Sequence, residues 1–233
     1  RYDAIVIGTG QAGPALATRL AAAGLRIAII ERDRFGGTCV NRGCIPTKTL
    51  VASARVAHVV RRSAEFGIRT DGPVTVDLPR VMLRKDEIVR QSSQGVERRL
   101  RATDGLDVIE GHARFTGPHR LEVVCGENAR SVTASRILVA CGTRPAPPPE
   151  NVATSDHVIT SDGVLSMKSL PRTMTVIGGG VIGIEYASMF ARLGVEVTLV
   201  DRRERPLEFM DREIVDELIH QMRNRRVTFR LGE

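Results

Sequence analysis

Tryptophan is absent from this 233-residue chain, aromatics make up 3% of it, and lysine supplies only three of its 34 basic side chains. Long apolar runs are missing as well: nowhere do about 18 uncharged apolar residues follow one another, so no membrane-spanning helix is expected. The N-terminus, RYDAIVIG, lacks the charged, apolar and small-residue succession of a signal peptide, and the chain reads as cytoplasmic. Four cysteines in a chain long enough for one to two domains do not make a disulfide-stapled mini-scaffold, because a chain of this size buries a core without staples. The net charge of +7 raises the question of nucleic acid. The basic residues are scattered, however, and none forms a run interleaved with stacking aromatics, so no nucleic-acid partner is expected.

What the sequence does have is a repeated glycine pattern. Residues 3–7 (DAIVI) form a short apolar run ending in Gly8, which reads as a buried parallel strand. A helical pattern from Gln11 to Ala23 follows, Gly24 stops it, and a second apolar run, Ile27 to Ile30, ends in Glu31. The same arrangement returns 170 residues later as TVIGGGVIGIEYASMFARLGVEVTLVDR. It pairs Gly8 with Gly178, Gly10 with Gly180, Gly13 with Gly183, Gly24 with Gly194 and Glu31 with Asp201. In both copies the acid stands 23 residues after the first glycine. One GxGxxG is weak evidence; two in register, each with its acid, predict an α/β chain of two Rossmann-like dinucleotide-binding domains, the second truncated.

Between the copies, the spacing predicts a cysteine-containing turn (36–44), a helix over about 46–66, a polar helix over about 84–102, and strands at 107–110, 112–115, 120–125, 129–133 and 137–140. RPAPPPE cannot continue a sheet, since proline lacks the donor, and marks a linker at 144–151. The expected organisation is a first domain of residues 1–143 and the N-terminal part of a second over 152–233. That second part is read as one βαβ unit followed by a helix at about 211–226.

Each motif carries a chemistry. The first glycine of GTGQAG permits the tight turn, the second lets a pyrophosphate approach the backbone, and the third allows close helix-to-strand packing. The helix N-terminus then offers unpaired N–H groups to the anion, and Glu31 would accept from a ribose diol. In the second copy Asp201 favours NAD, while Arg202 and Arg203 offer charges to the 2′-phosphate of NADP. In GGTCVNRGCIPTKTL (36–50), Cys39 and Cys44 stand just before a helix whose first turn suits Pro46. A thiolate there is stabilised by the helix dipole, so a lowered pKa is expected, and two sulfurs this close can cycle between dithiol and disulfide. Zinc would need further ligands at suitable spacing, and no metal is expected. Cys125 and Cys141 fall in or beside strands, where free cysteine behaves as a small apolar core residue. Lys48, one turn after Cys44, reads either as a surface lysine or as a cation near the redox centre with Glu185 as its carboxylate partner.

These segments resemble the pyridine nucleotide-disulfide oxidoreductases along the whole chain: GGTCVNRGCIPTK their redox motif, ILVACGTRP the segment that returns to the FAD domain, and VIGGGVIGIEYAS the NAD(P) fingerprint. The first 120 residues look most like mercuric-reductase-like flavoproteins and the second half like soluble pyridine nucleotide transhydrogenases, which typically lack the cysteine retained here as Cys44. The resemblance implies FAD held by Gly8, Gly10, Gly13, Glu31, Arg32, Gly37, Thr38, Lys48, Ala113 and Gly142. It implies a nicotinamide cofactor, NAD or NADP, held by Gly178, Gly180, Ile182, Gly183, Glu185, Asp201 and Arg202. It also implies Cys44 beneath the flavin, Cys39 as the thiol that meets substrate, and Lys48 with Glu185 as an ion pair. The implied substrates are small disulfides, dithiols or metal ions, and the implied assembly is a homodimer whose dimerisation domain is missing here.

Overall fold

The computed structural model of the chain describes residues 1–146 and 155–233, so most of the expected linker lies outside the described residues. Two compact units result. The first holds Arg1–Pro46 and the chain from Asp86 up to the linker; the second holds Thr47–Lys85 and the chain beyond the linker to Glu233. The expected contiguous domain 1–143 therefore gives up residues 47–85. The reason lies in packing: Leu50, Ala54, Leu78 and Met82 bury themselves in one apolar cluster with Ile184, Phe190, Leu199 and Met222.

In the first unit the order is β1 (Tyr2–Ile7), α1 (Ala12–Ala22), β2 (Ile27–Glu31), α2 (Gly37–Asn41), the start of α3 (Cys44–Arg61), most of α4 (Leu78–Arg101), β3 (Leu106–Glu110), β4 (His112–Gly117), β5 (Arg120–Cys125) and β6 (Asn128–Val139). The sheet runs β3-β2-β1-β6-β5-β4. β1 lies parallel to β2 and β6, and β2 parallel to β3. Ile5, Ile27, Ile29 and Ile30 are fully enclosed, as parallel strands covered on both faces require. The two strands expected at 129–133 and 137–140 are one. Residues 128–133 pair antiparallel with β5, and from Ala134 onward the same strand pairs parallel with β1. Ser135 and Arg136 interrupt the apolar signal but not the backbone ladder, since Arg136 stands opposite Ala4.

The second unit contains the rest of α3, a 3-10 turn (Ser63–Phe66), the start of α4, α5 (Ser161–Val164), β7 (Thr173–Ile177), α6 (Val181–Leu193), β8 (Glu196–Asp201), α7 (Arg212–Arg223) and β9 (Val227–Leu231). Its sheet is β7-β8-β9, all parallel. The helix expected over 46–66 starts earlier, at Cys44, and ends at Arg61. The one expected from 84 begins at Leu78, with Pro79 in the first turn, where a missing N–H costs nothing. α7 is capped by the Asp211 carboxylate, which accepts from the N–H groups of Glu213 and Ile214. The strand after it goes beyond the single βαβ unit expected; VTFRL is only five residues with polar side chains at alternate positions, a faint apolar signal. Among the described residues no helix is long and apolar enough to cross a membrane.

The internal repeat is reproduced in the backbone of the glycine turns. Gly8 and Gly178 take φ of 107° and 106°, which suit glycine. A Cβ on Gly13 would lie 2.0 Å from the Gly8 carbonyl oxygen, and one on Gly183 would lie 2.0 Å from that of Gly178. At Gly10 a Cβ would meet nothing nearer than 4.0 Å. Gly13→Ala should therefore lower the unfolding free energy by about 1–3 kcal/mol or more in urea denaturation. Gly10→Ala should cost no more than about 1 kcal/mol in the same measurement.

Candidate functional site

At the end of β1 the chain turns through Gly8, against the carbonyl of Ala140 just past β6; a Cβ on Gly8 would approach that oxygen to 2.4 Å. Ala140 in turn donates its N–H to Ile7 at 2.8 Å, so the ACG segment is drawn to the fingerprint, and Gly142 follows with φ of 66°. On the other side the cysteine segment closes in. A Cβ on Gly37 would sit 2.6 Å from the Cα of Gly10, so the close approach of these two backbones requires glycine. The open Gly10 backbone and the start of α1 fit a dinucleotide phosphate.

Glu31 closes this turn. One carboxylate oxygen accepts from the N–H of Thr9 at 3.0 Å and from its hydroxyl; the other accepts from the N–H groups of Arg32 at 2.8 Å and Asp33 at 3.0 Å. The Thr9 hydroxyl, wholly buried, also accepts from Gly36 N–H at 3.2 Å. One hydroxyl thus binds the first glycine turn, the acid and the cysteine segment together. Thr9 was not singled out by sequence; its only signal is a small hydroxyl between two fingerprint glycines. Asn41 was missed too. Its amide donates to the carbonyls of Phe35 at 3.0 Å and Gly37 at 2.9 Å, which fixes the turn that carries Cys39.

Cys39 sits in α2, half-buried, and Cys44 opens α3, exposed. The two thiols stand near enough for each to act on the other's ionisation, and the Cys44 backbone N–H acts on the Cys39 sulfur. Burial pushes the Cys39 thiol up from its ordinary pKa, the neighbouring thiol adds to the rise, and the Cys44 N–H opposes it. The lowering expected from the helix dipole does not prevail at Cys39. Thr38 is exposed in the same short helix. Ala113 lies in β4 opposite Val123, beside the cluster around Ile5. Cys125 and Cys141 are exposed, contrary to the core position expected, because Cys125 is the last residue of β5 and Cys141 lies two residues beyond β6 rather than inside the sheet.

The second fingerprint repeats the scheme with one exchange. Asp201, buried at the end of β8, accepts from the N–H of Gly179, the residue equivalent to Thr9. The Arg203 guanidinium takes the place of the threonine hydroxyl, with Nε at 3.0 Å and Nη2 at 2.6 Å, and the Arg203 N–H adds a bond at 2.9 Å. The guanidinium, followed by the two N–H groups, holds the Asp201 carboxyl well below the usual range against the opposing effect of burial. Arg202 is exposed, Gly180 faces open space at the start of α6, and Ile182 is 58% exposed beside it. Glu185, one turn into α6, forms an ion pair with Lys48. Next to them the Tyr186 hydroxyl lies 3.4 Å from that of Thr47.

Two consequences can be measured. Because the Cys39 pKa is raised, its thiolate forms only at higher pH. In the reduced chain, alkylation of Cys39 by iodoacetamide should have a midpoint above that of an ordinary thiol, about 8.5. Replacing Cys44 by Ala should bring it down; a midpoint at or below the ordinary value in the parent chain would refute this. Because the Asp201 pKa is depressed, its stabilisation is complete above the unfolded value of about 4 and is lost as pH falls towards the folded value. Asp201→Asn should cost about 1–3 kcal/mol at pH 7 and flatten the loss of stability between about pH 4 and 2 in acid denaturation.

Comparison with known proteins agrees with this geometry. The family described as pyridine nucleotide-disulphide oxidoreductase matches residues 2–233. The soluble pyridine nucleotide transhydrogenase of Mycobacterium tuberculosis is 40% identical over 237 residues, spanning 100% of this chain and 50% of its own. The dihydrolipoyl dehydrogenase of Bacillus subtilis is 35% identical over 240 residues, spanning 99% and 50%. Among solved structures, the Cu(II) complex of the HOCl-induced flavoprotein disulfide reductase RclA from Escherichia coli superposes with a TM-score of 0.85 at 35% identity, over 100% of this chain and 49% of that one. The chain spans about half the length of these relatives. With both fingerprints, both acids and the cysteine pair in place, the chain belongs to the pyridine nucleotide-disulphide oxidoreductase family, whose members are FAD-dependent and use NAD(P)H.

Proposed function

We propose that this chain is the FAD- and NAD(P)-binding portion of a flavoprotein disulfide oxidoreductase whose working thiols are Cys39 and Cys44. The observation that carries the reading is the placement of two mutually influencing cysteines, in α2 and at the start of α3, on the same unit as the first fingerprint. Closing an S–S bond between them releases two electrons and the protons the thiols carry, and reopening it takes up the same. Gly8, Gly10, Gly13, Gly37, Glu31 and Arg32 would hold the FAD phosphates and ribose, with Thr38, Ala113 and Gly142 beside them. Gly178, Gly180, Ile182, Gly183, Asp201 and Arg202 would hold the nicotinamide nucleotide. Bound FAD would supply a two-electron relay between nicotinamide and the sulfur pair. Lys48 and Glu185 would set the charge near that relay. A dithiol that must be reopened after each turnover suits a reducing compartment, the cytoplasm. The substrate class is a small disulfide, a dithiol or a metal ion, and the full-length protein would act as a homodimer.

Asp201 bears on the choice of nicotinamide. Its oxygens are already met by donors from Gly179 and Arg203, and Arg203 neutralises its charge. This supports acceptance of NADP as well as NAD, in place of the NAD preference that the acid alone suggests.

A second reading, hydride exchange between nicotinamide nucleotides, is favoured by the 40% identity to transhydrogenases. One variant separates the two. In anaerobic reductive titration the FAD-loaded chain should take up about two more electrons than the Cys44→Ser variant. Hydride exchange in the full-length protein should survive that substitution. Equal electron uptake by both chains would leave the sulfur pair without a redox role and favour the transhydrogenase reading.

A further inference from the structure

Glu31 is half-buried at the end of β2, and the chain itself fills the acceptor positions of both its carboxylate oxygens. Three of the donors are backbone N–H groups, those of Thr9, Arg32 and Asp33, which the turn holds in place. The fourth is the Thr9 hydroxyl, and a hydroxyl hydrogen rotates to suit its surroundings. A ribose hydroxyl that donates to Glu31 therefore competes most directly with Thr9.

The same hydroxyl oxygen, wholly buried, accepts from the Gly36 N–H at 3.2 Å. Gly36 is the residue on which α2 begins, with φ of 95°, and it is seated on Val40: a Cβ there would lie 2.6 Å from the Val40 Cβ. Val40 is buried, and Asn41 closes the far end of α2 by donating to the carbonyls of Phe35 and Gly37. Cys39 stands between these anchors, half-buried. Its burial is thus set by a turn of five residues whose preceding N–H is bonded to the side chain that also serves Glu31. All of these residues belong to the first unit.

We propose that Thr9 is a positioning residue that couples a ribose hydroxyl bound at Glu31 to the exposure of Cys39. The ribose donor turns the Thr9 hydroxyl aside, and the Gly36 N–H loses the acceptor it is aimed at. The start of α2 then loosens, and the Cys39 thiol becomes more accessible. Only hydrogen bonds are exchanged. By linkage, whatever holds Cys39 in the loosened state favours the nucleotide in return. The inference rests on the proposed reading of the first fingerprint as an adenine-nucleotide site, and not on a redox role for the sulfur pair.

The test uses the full chain, reduced and free of FAD, with ADP as the probe and alkylation by uncharged iodoacetamide as the readout. Trypsin separates the two thiols, because Arg42 lies between them: Cys39 is carried in FGGTCVNR and Cys44 in GCIPTK. ADP should speed the alkylation of Cys39 about fivefold, the lower end of ordinary coupling between sites. Sodium pyrophosphate, which has no ribose, should not. Thr9→Val should bind ADP in equilibrium dialysis, alkylate at the raised rate without it, and gain nothing from its addition. Thr9→Ser keeps the hydroxyl and should behave as the parent chain does. Thr9→Ala gives the same comparison if Thr9→Val fails to fold. The proposal is overturned if bound ADP leaves the Cys39 rate unchanged or slows it, if pyrophosphate matches ADP, or if the response survives removal of the hydroxyl. Each of these results would leave the nucleotide reading standing, whereas ADP that does not bind at all would remove both.

Discussion

In both halves of the chain a carboxylate at the end of the second strand accepts the N–H of the residue that follows the first fingerprint glycine. Glu31 does so from Thr9, and Asp201 from Gly179. That bond holds the tight turn against the neighbouring strand, and the third glycine can then seat its Cα on the first glycine's carbonyl. The helix that follows is thereby started directly after the turn, with its first N–H groups left free of helical partners as an anion site requires. Without the carboxylate, the buried N–H of the turn would be left unpaired beside an acid-free strand end.

The two copies solve the remaining acceptor positions differently. At Glu31 a buried threonine hydroxyl completes the set and reaches on to Gly36, so the first glycine turn and the cysteine segment are bonded to one side chain. At Asp201 an arginine completes it, bringing positive charge to the carboxylate at the end of β8. The same backbone device therefore ties the first glycine turn to the cysteine segment in one unit and holds an arginine-paired carboxylate beside the turn in the other.

The cysteine pair illustrates how burial and local charge compete. Helix position alone favours a thiolate. At Cys39 the withdrawal from water and the second thiol prevail over the single N–H that Cys44 supplies. Cys39 consequently holds its proton more firmly than an ordinary thiol does.

Much of this was readable without coordinates. Periodic glycines, terminal acids and short apolar runs are local signals, set by steric limits on φ and by the burial of parallel strands, and they fixed both βαβ units and the cysteine turn. Contacts made across tens of residues were not readable. Thr9 and Asn41 look like ordinary polar residues until the chain folds them onto Glu31 and Gly37. Residues 47–85 follow the first fingerprint in sequence but bury Leu50 and Met82 with the second. Arg61 becomes a cap for a helix 131 residues away. Local sequence determined which segments turn, coil and extend; only tertiary packing decided which side chains meet, because burial and charge pairing depend on neighbours that sequence order does not name.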